Sequence, residues 1–156
     1  MIGVFGHSLG GSTAAAVARE RNDIDAVVNL DASLLGELIG YEEGEYVMNE
    51  ETYTFPLLNI YSDDVWGHME EAPQYYPNLL LVSDTPADVY NVNFEGTKHM
   101  SLTGLPLFSP ILAYMLQGGK AKIDENYCID TMNSIILEFF DCYLKGEGSF
   151  TSERTY

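Results

Sequence analysis

The first 21 residues, MIGVFGHSLGGSTAAAVARER, constrain the fold more than any other stretch of the chain. An apolar run at residues 1–5 is typical of a strand that is buried on both faces of a parallel sheet. Glycines then surround Ser8, and small and apolar residues continue to a charged end at residues 19–21, as in a helix that packs on a sheet. The stretch therefore predicts a strand, a sharp turn at Ser8 and a helix.

Later segments continue this alternation. Apolar or alternating runs predict strands at residues 24–30, 56–62 and 87–95, and we expect helices at residues 71–83 and 107–117. Strands that alternate with helices predict an α/β fold with a mostly parallel sheet and flanking helices. In such sheets the functional residues lie in loops at the carboxyl ends of the strands.

The last helix has the clearest periodicity. Apolar side chains recur every three to four residues from Ile129 to Tyr143, and Lys145 followed by Gly146 supplies a C-terminal stop. The tail at residues 147–156 is expected to fray.

Two cysteines, Cys128 and Cys142, both fall on this predicted helix. At 1.5 Å per residue they are separated by about 21 Å along the helix, which is too far for a disulfide. Two free thiols favour a reducing compartment such as the cytoplasm.

Composition argues against several classes of function. The 156 residues include 24 acidic and 7 basic side chains, for a net charge of −17. Such a chain repels phosphate backbones, which argues against nucleic-acid binding and against electrostatic docking on anionic membranes. No apolar run approaches the roughly 18 residues of a membrane-spanning helix, and no signal peptide is visible.

The five residues from Gly6 to Gly10 match the G-x-S-x-G nucleophile elbow, with Gly11 beside them. In this motif a serine occupies a strained turn, and the residues two positions away lack side chains so that the backbones can pass closely. The N–H groups at the start of the following helix point at the site. The pattern predicts Ser8 as a nucleophile and the backbone N–H of Leu9 as one oxyanion donor.

A serine nucleophile needs a base that is held by an acid. Of the three histidines, His7 lies within the elbow and is expected to pack. His68 follows the third strand and His99 follows the fourth. We expect His99 to be the base, because it gives the order serine, aspartate, histidine that is typical of this fold.

The residues alone leave the acid open. Asp31 ends the strand directly after the elbow helix, whereas Asp63 and Asp64 end the next strand. Both loops flank the serine, and an aspartate that closes a strand is also a common turn residue.

Four segments, GHSLGG, NLDAS, PLLNIYS and FEGTKHMSLTGLPLFSP, together resemble the catalytic half of an α/β-hydrolase, and most closely the platelet-activating-factor acetylhydrolase branch. The resemblance covers residues 1–117. It implies that Asp31, in an apolar-LDA segment about two dozen residues after the serine, is the acid. It also implies that His99, in a G-x-x-H segment, is the base. Most of the wider superfamily instead place the acid where Asp63 and Asp64 stand.

The resemblance implies hydrolysis of a carboxylic ester through an acyl-enzyme. The implied substrates are short or oxidised acyl groups of phospholipid-like esters, and neither a metal nor a cofactor is implied. The sequence has no G-x-x-x-x-G-K-[ST] phosphate loop and no zinc-ligand spacing. The acidic stretch at residues 42–51 does not match a calcium loop and is expected to be a solvated lid or surface loop.

In this fold the second oxyanion donor comes from a loop that precedes the elbow strand. The resemblance therefore implies further strands ahead of residue 1, so that residues 1–146 would form a partial α/β-hydrolase domain and residues 147–156 a tail. The edge of the strand at residues 1–5 would be open to pairing with another chain. In an alternative interpretation, the chain is an inactive remnant that acts as a binding or assembly module.

Overall fold

The computed structural model describes residues 1–79 and 87–156. Within them the strands are β1 Gly3–His7, β2 Ala26–Leu30, β3 Leu38–Glu42, β4 Glu45–Met48, β5 Leu57–Ser62 and β6 Val89–Phe94. The helices are α1 Leu9–Glu20, α2 Asp63–Trp66, α3 Leu105–Phe108, α4 Pro110–Leu116 and α5 Glu125–Phe140. No helix in this part of the chain is both long and apolar enough to span a membrane.

Four strands form the main sheet in the order β1-β2-β5-β6, and all neighbouring pairs are parallel. Every residue of β2 and β5 is buried, as their continuous apolar sequences predict. The predicted α/β fold with a mostly parallel sheet and flanking helices is confirmed.

A row of asparagines crosses the buried part of the sheet. Asn29, Asn59 and Asn91 are partners in the register of β2, β5 and β6. Asn29 Nδ2 donates to Asn59 Oδ1 at 2.9 Å, and Asn59 Nδ2 donates to Asn91 Oδ1 at 3.0 Å. Because a one-residue slip of a strand would separate these partners, the row helps to fix the register that aligns the strand ends.

Helices cover both faces of the sheet. On one face, α1 packs the alanines of its buried stripe against β2 and β5, in a cluster that includes Ala15, Val27 and Leu57. On the other face, α5 packs Phe139 against a cluster that includes Val28, with Met132 and Ile135 beside it. Neighbouring strand residues thus point to opposite layers, as the two-residue period of a strand requires.

The C-terminal end of α5 follows the expectation from sequence. A π-helical turn at Asp141–Lys145 continues the helix, and Gly146 ends it with a φ of 69° in the left-handed region. Cys128 and Cys142 are both free thiols.

The tail at residues 147–156 does not fray as expected. The Phe150 side chain is buried in the core. Asn93 of β6 donates its N–H to Arg154 O and accepts one from Tyr156 N, each at 2.9 Å. The tail therefore covers the outer edge of β6, because its apolar side chain and its backbone both find partners there.

Two predicted helices differ from the observed ones. The segment at residues 71–83 contains a 3₁₀ turn at Pro73–Tyr75 and helical residues 76–79, and residues 80–83 lie outside the described residues. The predicted helix at 107–117 begins two residues earlier and is divided into α3 and α4 at Ser109. Pro110 explains the break, since its nitrogen has no hydrogen to donate.

The acidic segment at residues 42–51, expected to be a loop, includes the turn and the second strand of an antiparallel hairpin of β3 and β4. Glu43 and Gly44 form its turn with φ values of 52° and 93°, as a two-residue type I′ connection requires. The hairpin does lie on the surface, since Ile39 and Tyr41 are more than half exposed.

A buried ion pair anchors the chain before this hairpin. Arg19 on α1 contacts Glu37 at 2.7 Å, and Tyr53 donates its hydroxyl to Glu37 Oε1 at 2.6 Å.

Arg19→Met leaves the Glu37 carboxylate buried without its cation, so we expect a loss of about 3–5 kcal/mol in the free energy of unfolding. Urea unfolding measures this loss. Arg21→Met, which breaks an exposed pair with Asp23, is the control and should leave stability unchanged; equal effects of the two variants would contradict the prediction.

Candidate active site

Ser8 is the single residue between β1 and α1. Its φ of 56° and ψ of −129° place it in a strained conformation that side chains rarely adopt. Its N–H donates to Leu30 O at 2.8 Å, and its carbonyl oxygen accepts from the Gly11 N–H at 2.8 Å. These bonds hold Ser8 between the end of β2 and the first turn of α1, in the geometry of a nucleophile elbow.

The glycines around Ser8 have unequal roles. A Cβ at Gly6 would overlap the backbone of Gly10, and a Cβ at Gly11 would overlap Asn29 Oδ1 and lie 2.9 Å from Gly6 O. A Cβ at Gly10 would have no neighbour within 4 Å. The requirement for a missing side chain therefore holds at Gly6 and Gly11, whereas Gly10 has room for one.

This difference predicts the effect of two alanine substitutions. Gly11→Ala should lower the free energy of unfolding by about 1–3 kcal/mol, because its methyl group overpacks the elbow against the sheet. Gly10→Ala should be neutral or stabilising by up to about 1 kcal/mol, because alanine favours the helix and meets open space. Urea unfolding of both variants measures the difference, and a greater loss at Gly10 would contradict it.

Asp31 and His99 are joined by a hydrogen bond. Asp31 follows β2 with a φ of 55°, and its side chain is fully buried. His99 begins the turn after β6, and its Nδ1 lies 2.7 Å from Asp31 Oδ2. Ser62 adds its N–H to Asp31 Oδ1 at 2.7 Å and its hydroxyl to Asp31 Oδ2 at 2.8 Å. Three donors thus converge on the Asp31 carboxylate.

This arrangement assigns the His99 tautomer. Because the Asp31 carboxylate only accepts, His99 Nδ1 holds a proton, and in the neutral imidazole the lone pair therefore lies on Nε2. The His99 side chain is about one-third exposed. Within the described residues the Ser8 hydroxyl makes no hydrogen bond.

The other sequence candidates lie elsewhere. Asp63 accepts hydrogen bonds from the Gly96 N–H at 2.6 Å and from Asn93 Nδ2 at 3.1 Å. Asp64 pairs with Lys98 Nζ at 3.1 Å. The exposed His68 bonds to the carbonyl oxygen of Asp64 in its own helical turn, at 2.8 Å. Both aspartates therefore brace the loop that leads into His99 and make no hydrogen bond to the imidazole.

His7 packs, as the sequence predicts, but its partner is His99. The ring centroids lie 4.4 Å apart, and His7 Nε2 donates to the His99 carbonyl oxygen at 2.8 Å. Burial lowers the pKa of His7 below its usual value. His7, Asp31 and His99 bring possible ligand atoms within 4.8 Å of one another. Because His7 Nε2 and His99 Nδ1 are both engaged in hydrogen bonds, a metal ion that used either nitrogen would have to displace the bond it makes.

Sequence reasoning missed two side chains that support the site. Ser62 holds Asp31 as described above. Asn78, fully buried, accepts from the Leu34 N–H at 2.9 Å and donates to Ala32 O at 3.0 Å, which fixes the chain just after Asp31. Asn78 follows no strand end or motif, so the sequence pattern gives no signal for it.

A groove of about 700 Å³ is lined by residues of α3 and α4 and by residues 120–126, and its lining includes neither Ser8 nor His99. Apolar residues of α3 and α4 form one side, and Lys120, Asp124 and Glu125 stand on the other. Gln117, in its lining, accepts a hydrogen bond from the Met100 N–H at 3.2 Å. One lining side chain, Gln117, is thus hydrogen-bonded to the residue that follows His99.

Comparisons with known proteins bear on the fold and the family of this chain. A search of the curated proteins gives no match. A ferulic acid esterase from Streptomyces cinnamoneus has a similar structure, with a TM-score of 0.68 and 22% sequence identity. The match covers 95% of this chain and 42% of that one, so this chain spans less than half of its length, and the likeness establishes the fold. The family model of platelet-activating factor acetylhydrolase, isoform II, matches residues 1–152. The elbow, the parallel sheet and this match over nearly the whole sequence lead to one conclusion: the chain belongs to the platelet-activating factor acetylhydrolase, isoform II, family.

Proposed function

We propose that this chain hydrolyses carboxylic esters, with Ser8 as nucleophile, His99 as general base and Asp31 as the acid that orients it. The observation that supports this most directly is the 2.7 Å bond between Asp31 and His99, next to a serine in an elbow conformation. Family membership supports the same reaction class.

The proposed reaction has two halves. In the first, Ser8 Oγ attacks the ester carbonyl carbon while His99 Nε2 takes the hydroxyl proton, and Asp31 stabilises the imidazolium that forms. The tetrahedral intermediate then expels the alcohol, which receives the proton from His99. In the second half, a water molecule attacks the acyl-Ser8 carbonyl in the same manner and releases the carboxylic acid.

The oxyanion of each intermediate would be bound at the start of α1. The Leu9 and Gly10 N–H groups precede the first hydrogen bonds of the helix, which the Gly11 and Ser12 N–H groups make to Ser8 O. The Leu9 N–H and the positive end of the α1 dipole therefore face the developing charge in this proposal. A single donor of this kind contributes about 10²–10³ in rate.

For the substrate we propose short or oxidised acyl groups of phospholipid-like esters. The family description supports this choice, because platelet-activating factor gives that family its name. The largely apolar groove at α3 and α4, whose Gln117 bonds to the Met100 N–H, offers a surface for the lipid part of such a molecule.

Turnover of p-nitrophenyl esters of increasing acyl length tests the proposal, with size-exclusion chromatography alongside. We expect hydrolysis of the acetate, with rates that fall as the unmodified acyl chain lengthens. A folded monomer that hydrolyses none of these esters would contradict the proposed activity and favour a binding or assembly role. Association of chains through the edge of β1 stays a prediction, and the same chromatography tests it.

A further inference from the structure

The His7 side chain links the elbow to the turn that carries His99. Its Nε2 donates to the backbone carbonyl oxygen of His99 at 2.8 Å, between residues 92 positions apart in sequence. The two imidazole planes are tilted by 40°, with centroids 4.4 Å apart. Among the described residues, this is the one hydrogen bond that joins the elbow at residues 6–12 to the turn at residues 99–102.

From this contact we infer that His7 is a positioning residue, which sets the distance between the His99 imidazole and the Ser8 hydroxyl. The inference rests on the proposed function, because it concerns proton transfer between those two side chains. Asp31 holds the His99 ring at Nδ1, and His7 holds the main chain of the same residue. The ring and the backbone of the base are thus each fixed by a separate hydrogen bond.

The position of His7 in the chain makes this link short. His7 directly precedes Ser8, so the residue that donates this hydrogen bond is joined to the proposed nucleophile by one peptide bond. A movement of the His99 turn away from the elbow would therefore lengthen the His7 bond or turn its ring. Proton transfer requires heavy atoms about 2.6–3.2 Å apart, and a displacement of about 1 Å can cost 10²-fold in rate.

The protonation state of His7 suits this role. A carbonyl oxygen only accepts, so Nε2 holds the proton, and Nδ1 has no partner among the described residues. Burial lowers the pKa of His7 and a positive charge on His99 lowers it as well, while the bond to the His99 carbonyl and the Asp31 carboxylate raise it. A neutral His7 can lie against the His99 imidazolium that forms during the reaction without repelling it.

Two substitutions of His7 distinguish the effect of its donated hydrogen bond from the effect of its ring contact with His99. His7→Phe keeps an aromatic ring against His99 and removes the donor. His7→Gln removes the ring and keeps an amide N–H at about the position of Nε2. His68→Phe is the matched control, because the exposed His68 side chain bonds, among the described residues, to the carbonyl oxygen of Asp64 in its own turn.

The experiment measures kcat and KM for p-nitrophenyl acetate in the wild-type protein and the three variants, with thermal unfolding to show that each is folded. We expect His7→Phe to lower kcat about 10²-fold with KM unchanged, and His7→Gln to recover most of the loss. His68→Phe should match the wild type. Wild-type kcat in His7→Phe, or equal losses in His7→Phe and His7→Gln, would overturn the inference.

A second measurement does not need turnover. Nitrogen-15 NMR of the histidine rings reports which nitrogen holds the proton, and we expect His7 to be the neutral Nε2–H form at neutral pH. An Nδ1–H form would overturn the inference, whether or not His7→Phe folds. A wild-type protein without Ser8-dependent hydrolysis would defeat the proposed function, and the tautomer of His7 would still decide whether this link exists.

Discussion

Ser8→Ala is expected to lower kcat for ester hydrolysis by about 10⁶-fold, because it removes the nucleophile on which the rest of the site acts. The fold should persist, since the Ser8 hydroxyl makes no hydrogen bond within the described residues. Hydrolysis of p-nitrophenyl acetate and thermal unfolding measure the two expectations. Ser134→Ala, which removes an exposed hydroxyl on α5, serves as the control and should retain wild-type activity. Substantial turnover in Ser8→Ala would show that the reaction uses another nucleophile.

The second large effect is expected from Asp31→Asn, which should lower kcat about 10⁴-fold. The asparagine keeps the shape of the carboxylate, but its amide group can donate to His99 Nδ1. That bond would leave the proton on Nε2, where the base must be free to accept one. The bonds from Ser62 can be retained in part by the asparagine oxygen, so we expect a folded protein.

The two other candidate acids provide the controls for this substitution. Asp63→Asn keeps an oxygen for the Gly96 N–H, and Asp64→Asn removes only an ion pair with Lys98 that is partly exposed. Both variants should therefore lose much less activity than Asp31→Asn in the same assay. A greater loss in either of them would show that the acid lies after β5 and would defeat the assignment of Asp31.

Much of the framework could be predicted from sequence because short-range patterns encode it. The strand predicted at 56–62 is observed as Leu57–Ser62, since a continuous apolar run has few alternatives in a parallel sheet. Glycines next to Ser8 encode the elbow for a similar reason, because Gly6 and Gly11 occupy positions where a Cβ would overlap neighbouring atoms.

The choice of acid could not be derived from residue types. Asp31 and Asp63 both follow strands whose carboxyl ends meet at the same edge of the sheet, so each is a plausible partner of a histidine. The two aspartates are distinguished by their hydrogen-bond partners. The Asp31 carboxylate accepts from His99 Nδ1, whereas the Asp63 carboxylate accepts from the Gly96 N–H. The resemblance to a family pointed to Asp31, and its catalytic role stays a prediction until the substitutions are measured.

The side chains that hold the site through long-range hydrogen bonds could not be found from local sequence patterns. Ser62 and Asn78 act through partners that are far away in sequence, and serine and asparagine are also common in turns. The hairpin of β3 and β4 was missed for a different reason. Its many glutamates indicate a solvated loop, although Glu43 and Gly44 form a turn that suits a hairpin.

The central claim is that His99 activates Ser8 as a nucleophile. A fluorophosphonate probe, which reacts with activated serines, tests this claim when the labelled protein is digested and the modified residue is located by mass spectrometry. We predict one adduct, on Ser8, in the wild-type protein, and labelling in His99→Ala that is slower by orders of magnitude. No adduct on Ser8, or equal labelling in His99→Ala, would contradict the account.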